Sequence, residues 1–389
     1  MIWNILKNKI KDKIVNRRVL RNENKHADLI AKASKNIKDI LDLSIKLKQS
    51  ENVLFIYDNQ YGLTNILNSG YKKVLTEMYG TNFQEKVKFL DFDKSDKEEI
   101  LSEINKLKEK DLVVMIQTTN FRLDDFRIRL HLFSKKLKVI EHMHLNRNVE
   151  SVWDVYVNSL EYDREYYYNT AHGIKNKLAS SEKLIIKSFI KEEVGGGSEA
   201  AAKSTELIID GELEEAKLNI GDYDNMENIG GTFPIGEVFT ESKLIENMNG
   251  EVLIYALADT DFNMQMYEPF AITIEKGLVV SYADNAPTEF INIYNQVKSY
   301  ETPMIREVGF GLNRAITKER YLGDITAFER IYGMHLSMGE KHSVYKKEGL
   351  TSKKTKYHVD LFPVVDKVTF INKGKKSEEA IFEDGGYVI

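Results

Sequence analysis

The sequence predicts two domains: an α/β N-terminal domain with a parallel sheet, followed by a β-rich α+β C-terminal domain. With 389 residues, the chain is longer than one ordinary hydrophobic core can organise. Between residues 53 and 145, short apolar runs alternate with amphipathic helical patterns, which is typical of a parallel sheet covered on both faces. From residue 204 onward, strand-like runs bounded by Gly, Asn or Asp predominate, which favours an antiparallel sheet.

The first 50 residues form a basic, amphipathic segment. They carry 13 Lys or Arg against 5 Asp or Glu, and apolar residues recur at helical spacing opposite the lysines. Such a segment can bind nucleic acid or a membrane surface, but a solvated helix face is the more common use of this pattern. We therefore predict one or two packing helices, with neither nucleic acid nor a membrane as a partner.

Composition restricts both the location of the protein and its chemistry. Lysines interrupt every apolar stretch at the N-terminus, so the sequence does not predict a secretory signal. No apolar run approaches the ~18 residues of a membrane span, and a cytoplasmic location is the expectation. The absence of cysteine excludes disulfides, thiol catalysis and thiolate metal sites, so any metal would be held by His, Asp, Glu or Tyr.

Residues 1–150 are expected to form the first domain, because four strand patterns and three helix patterns alternate behind the basic segment. Ser95 is the expected N-cap of the second of these helices. The domain contains no GxGxxG or GxxxxGK(S/T) sequence, so it lacks the usual phosphate loops of nucleotide sites. His142 and His144 lie two residues apart at a strand end with little acidic company, and we predict no metal role for them.

Two connecting segments follow. Residues 151–180 have the pattern of a long aromatic-rich helix, and we predict that this helix links the two domains. Residues 195–203, GGGSEAAAK, combine a flexible glycine run with a helix-forming repeat. They resemble the spacers used in engineered proteins, and the sequence leaves open whether the loop is natural. The β-rich domain, which is the predicted catalytic domain, spans residues 181–389.

Histidines and acidic residues that could bind a metal concentrate in the β-rich domain. Three of the eight histidines, His335, His342 and His358, lie within 24 residues of one another. In "KYHVDLFP", the side chains of His358 and Asp360 point to the same face of a predicted strand. A solvent-facing polar stripe is the common explanation for an isolated pair of this kind, and a divalent metal site is the more specific one.

Two glutamates extend this set. Glu237 in "GGTFPIGEVFT" and Glu307 in "IREVGFGLNRAI" are flanked by apolar residues and glycines. A carboxylate in such a setting is costly to bury unless it is paired or bound to a metal, although each alone could be a turn or capping residue. Taken with the histidines, they suit a dinuclear site, in which a bridging carboxylate joins two metals that activate water. The chain has no GxSxG elbow and no HExxH motif that would offer another hydrolytic centre.

Four sequence blocks resemble those of the M29 metallo-aminopeptidases, also called the aminopeptidase T family. The blocks are "GGTFPIGEVFT", "REVGFGLNRAI", "FERIYGMHLSMGE" and "HVDLF", in that order. The resemblance covers residues 205–370, whereas the α/β half agrees with the family only in its pattern. It implies a homodimer, a peptide or amide substrate, and two divalent metal ions, which would be zinc, cobalt, manganese or magnesium.

The resemblance also implies roles for individual residues. The expected metal ligands are Glu237, Glu307, Glu329, His335, His358 and Asp360. Glu307 corresponds to the bridging ligand or general base, and Glu329 is the weakest match. Seven residues after the ligand histidine, where these enzymes typically have a tyrosine at the metal centre, this chain has His342. An imidazole there can ligate or donate a proton, and Tyr345 is an alternative for the same role.

Together these observations predict an amide hydrolase of the aminopeptidase type, in which Glu307 activates water and His342 or Tyr345 stabilises the oxyanion. Two alternatives stay open. One is a family relative adapted to amide chemistry on a specialised small molecule or peptide natural product, and the other is a non-catalytic binding protein that keeps the fold. The lysine-rich stretch "MGEKHSVYKKEGLTSKKTKY" favours an acidic substrate if it borders the site, and is otherwise a solvated loop.

Overall fold

The computed structural model describes residues 25–123, 126–190, 203–351 and 353–389, which form two compact units. The first unit comprises the chain up to Arg164 together with Gly221–Ile235, and the second comprises Glu165–Ile220 together with Gly236–Ile389. The chain therefore leaves the first unit at Arg164, within the predicted linking helix, and returns to it for 15 residues that the sequence assigned to the β-rich domain.

A parallel sheet forms the centre of the first unit, and this confirms the α/β prediction. The strands of this unit are β1 (Val53–Tyr57), β2 (Val87–Asp91), β3 (Leu112–Ile116), β4 (Arg122–Leu123), β5 (Phe126–Arg127), β6 (Lys138–His142) and β10 (Gly230–Thr232). Five of them pair in the order β10-β6-β3-β1-β2 with every pairing parallel, while β4 and β5 form a separate small hairpin. Every residue of β3 and β6 is buried, because both faces of the sheet are covered.

Helices flank the strands in the chain order that the sequence predicts. They are α1 (Ala27–Asp39), α2 (Gly62–Tyr79), α3 (Phe83–Lys86), α4 (Lys97–Lys106), α5 (Ile128–Ser134) and α6 (Trp153–Ser159). The N-cap of α4 is Asp96 rather than Ser95: its carboxylate accepts a 2.7 Å hydrogen bond from the amide of Glu99. Helix α1 lies in the basic N-terminal segment, of which residues 1–24 fall outside the described residues.

His142, at the end of β6, is a fully buried histidine in the first unit. Its Nε2 lies 2.9 Å from the hydroxyl of Tyr71, and its Nδ1 lies 3.0 Å from the hydroxyl of Tyr156. Burial lowers the pKa of His142 to about 3, so the ring is neutral at physiological pH. Both ring nitrogens are thus engaged by tyrosine hydroxyls.

The single linking helix predicted for residues 151–180 is interrupted. Helix α6 ends at Ser159, and α7 (Arg164–Ser180) begins four residues later as the chain enters the second unit. Leu160 and Tyr162 are both buried in the first unit. Residues two apart do not share a helix face, so a continuous helix could not bury both on one core.

The second unit contains a 13-stranded antiparallel sheet, which confirms the β-rich prediction. Its strands are β7 (Ser181–Ile190), β8 (Lys203–Asp210), β9 (Lys217–Asn219), β11 (Glu237–Thr240), β12 (Met248–Ala258), β13 (Met264–Glu275), β14 (Leu278–Tyr282), β15 (Ile305–Gly311), β16 (Gly333–Met338), β17 (Val359–Pro363), β18 (Lys367–Asn372), β19 (Glu378–Glu383) and β20 (Gly386–Tyr387). They pair in the order β20-β19-β18-β7-β8-β12-β17-β16-β15-β11-β9, and β13 joins β12 to β14 off this path.

Few helices accompany this sheet. Besides α7, they are α8 (Thr288–Tyr300) and α9 (Ile325–Phe328). Strands β7 and β8 pair antiparallel from Lys183 opposite Asp210 to Ile190 opposite Lys203. The GGGSEAAAK segment therefore joins two arms of a hairpin, and all of it but its last residue lies outside the described residues. Among the helices described, none is long and apolar enough to cross a membrane.

The strands β17, β16, β15 and β11 are consecutive neighbours in the large sheet. They contain the four sequence blocks on which the family resemblance depends, or lie directly beside them. In β15 the pairing with β16 shifts at Arg306, because Ile305 lies opposite Met338 and Glu307 lies opposite Ser337. This irregularity sets the face on which Glu307 emerges.

Candidate metal centre

Four adjacent strands each bring an acidic or imidazole side chain to the same face of the sheet. Glu307 on β15 lies opposite Ser337 on β16, which lies opposite Asp360 on β17. On the same face of β15, Gly309 lies opposite His335 on β16, and Gly311 lies opposite Glu237 on β11. Opposed residues and residues two apart share a face, so the sequence-predicted ligands of four separate blocks converge.

Glu237, Glu307 and His335 form the first ligand group, with one ligand atom from each and all three atoms within 4.8 Å of one another. Nε2 of His335 lies 3.2 Å from Oε1 of Glu307 and 3.4 Å from Oε1 of Glu237. All three residues are buried. The donor set consists of one imidazole nitrogen and two carboxylates whose ligand atoms lie close together. Zinc, manganese and cobalt accept such a set.

Gly309 provides the space for the ring of His335. A Cβ atom at this position would lie 2.1 Å from Cε1 and 2.3 Å from Nε2 of the imidazole. Gly309 has no positive φ that would demand glycine, so the requirement is steric. Gly309, the second residue of the "VGFG" sequence, therefore contributes to the candidate metal centre through the absence of a side chain.

Glu307, His358 and Asp360 form the second ligand group, again within 4.8 Å. Nδ1 of His358 lies 3.0 Å from the carbonyl oxygen of Lys341 and donates to it, which leaves the lone pair of Nε2 for a metal. That Nε2 lies 3.4 Å from Oδ1 of Asp360. The hydroxyl of Ser337 donates a 2.5 Å hydrogen bond to the same oxygen and fixes the carboxylate.

Glu307 belongs to both groups. Its Oε1 faces His335 at 3.2 Å, and its Oε2 faces His342 at 2.8 Å. Its two oxygens thus face two different histidines, of which His335 is in a ligand group and His342 is not.

The pKa values in the centre reflect opposing effects of burial and charge. Burial raises the pKa of Glu237, with Arg330 and His335 opposing it. Burial acts in the same direction on Glu307, but the adjacent His335 and His342 outweigh it, and the pKa of Glu307 falls below its ordinary value. Burial would lower the pKa of His335, yet the facing carboxylates raise it to about 9. The cluster therefore attracts positive charge, which a proton or a divalent cation can supply.

Arg330 is a buried cation that sequence reasoning missed. Its Nη1 donates a 2.6 Å hydrogen bond to Oε2 of Glu237 and lies 2.8 Å from Oε1 of Glu329. This hydrogen bond from Arg330 orients Glu237 so that its other oxygen, Oε1, faces His335. Glu329 is in neither ligand group; burial raises its pKa well above the ordinary value, in spite of the neighbouring guanidinium. The signal available in the sequence was a basic residue inside the apolar run "FERIYG".

His342, which replaces the expected tyrosine, lies beside the centre but in neither ligand group. Its Nδ1 accepts hydrogen bonds from the amides of Val344 at 3.1 Å and Tyr345 at 3.3 Å. The proton of the neutral ring is therefore on Nε2, which is the atom 2.8 Å from Glu307. This buried Nε2 makes no aligned hydrogen bond to a described residue.

The hydroxyl of Tyr345 points away from the ligand groups. It donates to backbone carbonyl oxygens, with Glu215 at 2.6 Å and Phe239 at 3.2 Å. The structure thus brings His342, and not the phenol of Tyr345, against Glu307.

A second buried ion pair holds the loop that carries His342. Arg306 donates from Nε and Nη2 to the two carboxylate oxygens of Glu241, at 2.6 and 3.1 Å. Its remaining donors reach the carbonyl oxygens of Glu340 and Tyr345, at 2.6 and 3.2 Å. Both charged side chains are essentially inaccessible, at 2% and 0%. Sequence analysis did not identify this pair, which fixes the loop on both sides of His342.

The donor set fits divalent metal ions. It consists of carboxylate oxygens and imidazole nitrogens without thiolate, a combination that suits zinc, manganese, cobalt or magnesium. Nδ1 of His335 and Nε2 of His342 are both buried without a hydrogen-bond partner in the described chain. Such polar atoms are costly in a metal-free, dry centre.

Two cavities adjoin the ligand groups. The smaller one has a volume of about 290 Å³ and exposes Glu237, Glu307 and His358. The larger one has a volume of about 510 Å³ and exposes His358 and Asp360. Glu329, Lys341 and His358 line both cavities. Two of the predicted ligands, His358 and Asp360, therefore lie on the wall of the larger cavity.

Comparison with known proteins identifies the fold. No protein-family model matches the sequence, and no curated protein matches it. Among solved structures, 2,5-dihydroxypyridine dioxygenase from Pseudomonas putida KT2440 is similar, with a TM-score of 0.56, 14% identity, and coverage of 92% of this chain and 97% of that one. AmpT from Thermus thermophilus is similar with a TM-score of 0.55, 11% identity, and coverage of 92% and 99%. These likenesses extend over nearly the whole of each chain and show that the chain shares the fold of these two proteins.

Proposed function

We propose that the protein is a metal-dependent hydrolase that cleaves an amide bond at a free N-terminus with two divalent cations. The observation that carries this proposal is the shared position of Glu307, whose carboxylate belongs to two ligand groups at once. A bridging carboxylate between two cations is the arrangement of dinuclear hydrolases. The M29-like fold and the four sequence blocks point in the same direction.

The residues of this chain would hold and orient the components of the reaction. Glu237 and His335 would hold one cation, His358 and Asp360 the other, and Glu307 both. Two cations so held would lower the pKa of bound water towards neutrality and polarise the amide carbonyl. Arg330 keeps Glu237 in place.

His342 would donate a hydrogen bond to the oxyanion. Its Nδ1 accepts from two backbone amides, so its Nε2 carries a hydrogen at the edge of the centre. Because Nε2 is close to Glu307 without an aligned hydrogen bond, this N–H is available to stabilise the substrate carbonyl oxygen as negative charge develops on it. This assigns to His342 the role that the sequence left open between His342 and Tyr345.

Oxygenase chemistry is the alternative to test, because one of the similar structures named above is a dioxygenase. Non-haem iron oxygenases hold their metal with two histidines and one carboxylate. Each of the two ligand groups found in the described residues contains one histidine and two carboxylates. Ligand groups with more carboxylates than histidines favour the metals that hydrolases use, so we prefer hydrolase activity to oxygenase activity.

Metal stoichiometry is the experiment that tests the proposal. After saturation with zinc, cobalt or manganese and removal of excess metal, elemental analysis should give two ions per chain. Asp360→Ala should lose one of them, whereas Asp284→Ala, at an exposed position outside both groups, should keep both. A panel of aminoacyl amides should then show hydrolysis. One ion per chain that survives Asp360→Ala, or oxygen consumption with Fe(II), would contradict the proposal.

A further inference from the structure

The larger cavity gives information on the substrate. It adjoins the second ligand group, and Lys341 lies on the wall that it shares with the smaller cavity. A substrate that has its reacting amide at the ligand groups and extends into the larger cavity passes Lys341. The charges and apolar surfaces of this wall indicate which chemical group it accommodates.

The acidic side chains that line the larger cavity are already engaged. Oδ1 of Asp259 accepts from the amides of Asp261 and Asn263, both at 2.9 Å, and its Oδ2 accepts from Gln265 at 3.0 Å. Glu329 is paired with Arg330, as described above. Asp360 is held by Ser337 and faces His358. These carboxylates have little capacity left to attract a cationic substrate.

By contrast, the two lysines that line the same cavity, Lys341 and Lys356, have no carboxylate partner among the described residues. The ammonium of Lys341 forms no ion pair with any residue that the structure describes, and the residue is exposed. The ammonium of Lys356 lies 5.2 Å from the ring of Tyr300 and 4.9 Å from the ring of Tyr357, and it too has no carboxylate partner in the described chain. The cavity therefore presents two positive charges that lack a counter-ion.

The remaining wall of the cavity is largely apolar. Ile293, Ile325 and Phe262 contribute to it. Phe262 lies in the turn between β12 and β13 with a positive φ of 63° and is 59% exposed. A bulky residue in this conformation is unusual, and here it places an aromatic ring at the cavity wall. Such a wall suits a hydrocarbon stem that ends in an anionic group.

We propose that the substrate carries a carboxylate and that Lys341 binds it, with Lys356 adding to the positive potential. This inference rests on the proposed function, because it places the reacting amide at the ligand groups. Two sources share this chemistry: an acidic side chain on the N-terminal residue, and the free C-terminal carboxylate of a dipeptide. Lys341 thereby selects between substrates without touching the reacting bond.

Matched ligand pairs test the proposal by binding alone. Isothermal titration calorimetry on the metal-loaded protein compares L-glutamate with L-glutamine, and Ala-Ala with Ala-Ala amide, so that each pair differs by one negative charge. The pair that shows a preference identifies the source of the carboxylate. Wild-type protein should prefer the anionic member by roughly tenfold, which corresponds to a modest charge-assisted contact. The preference should weaken at high salt.

Two variants decide whether Lys341 is responsible. Lys341→Gln should remove the preference, and Lys341→Glu should reverse it towards the neutral member. Lys346→Gln changes an exposed lysine of the same loop that lines neither cavity, and it should keep the preference. No preference in wild type for either pair, or a preference that survives Lys341→Gln, would overturn the inference. A Lys341-dependent preference without hydrolysis of any amide would support this inference and reject the proposed reaction.

Discussion

Gly309→Ala tests the steric part of the metal centre. The added Cβ would lie 2.1 Å from Cε1 of His335, and ordinary contact begins at 3.4 Å, so the ring must retreat by about 1.3 Å. Metal sites tolerate deviations of about 0.2 Å in ligand distance. His335 would therefore leave the group that it forms with Glu237 and Glu307. Because the loss of an outer-shell partner alone costs about 10- to 100-fold in metal affinity, we expect at least a 100-fold loss at this position.

The stability of the fold should change much less than the metal affinity. Overpacking in a core costs about 1–3 kcal/mol, and the smaller conformational freedom of alanine in the unfolded chain returns about 0.4–1 kcal/mol. Gly386→Ala is the matched control, since its Cβ would meet nothing closer than the Tyr332 hydroxyl at 3.8 Å. That control should bind metal normally.

The assay combines elemental analysis with competitive titration against a chelator of known affinity. The expected result for Gly309→Ala is a folded protein with one ion per chain. Two ions bound with unchanged affinity would refute the reasoning, because His335 would then not be a ligand. Loss of both metals together with unfolding would show that the ring supports the strand pairing rather than the metal.

Three further predictions concern other positions. His342→Phe should keep two metals but lower kcat by about 10²- to 10³-fold, the usual cost of losing one hydrogen-bond donor to an oxyanion; loss of metal would instead make His342 a ligand. Arg306→Met should cost about 3–5 kcal/mol in urea unfolding, because the buried Glu241 loses its hydrogen-bonded partner and keeps only the more distant Lys347, at 3.9 Å; adding Glu241→Met should recover most of that loss. Between pH about 3 and 6.5, His142 binds fewer protons in the folded protein than in the unfolded chain, because burial lowers its pKa. The free energy of unfolding should therefore fall as pH falls through this range, and His142→Gln should show a shallower fall.

Much of the fold follows from local sequence patterns. Runs such as "VLFIY" and "LVVMI" are apolar on both faces, and they form the buried strands β1 and β3. The return of the chain into the first unit was not predictable in this way. Gly230–Thr232 has the composition of a loop, yet it pairs with β6. Gly230 has a φ of +97°, and a Cβ there would lie 1.8 Å from the carbonyl oxygen of Val139, so glycine permits both this backbone conformation and the close strand contact.

In the candidate site, too, some residues could be predicted from the sequence and others could not. Its ligand-type residues stand out in sequence because carboxylates and histidines are unusual in apolar, glycine-rich surroundings, and the strands then bring Glu237, Glu307 and His335 together. The supporting residues do not stand out. Arg330 reaches Glu237 across 93 residues, and Arg306 reaches Glu241 across 65. Such pairs depend on strand order in the folded sheet, which no local spacing encodes.

The charge of the centre bears on the number of cations that it can hold. Glu237, Glu307 and Asp360 supply three carboxylates to the ligand groups, and Arg330 supplies one guanidinium beside them. Burial raises the pKa of Glu329 and favours its neutral form, so these groups leave two formal negative charges when His335 is neutral and free to bind a metal. One divalent cation would balance these charges and leave the centre neutral. Two divalent cations would leave two positive charges, which favour an anionic nucleophile and are consistent with a cavity wall that attracts a carboxylate.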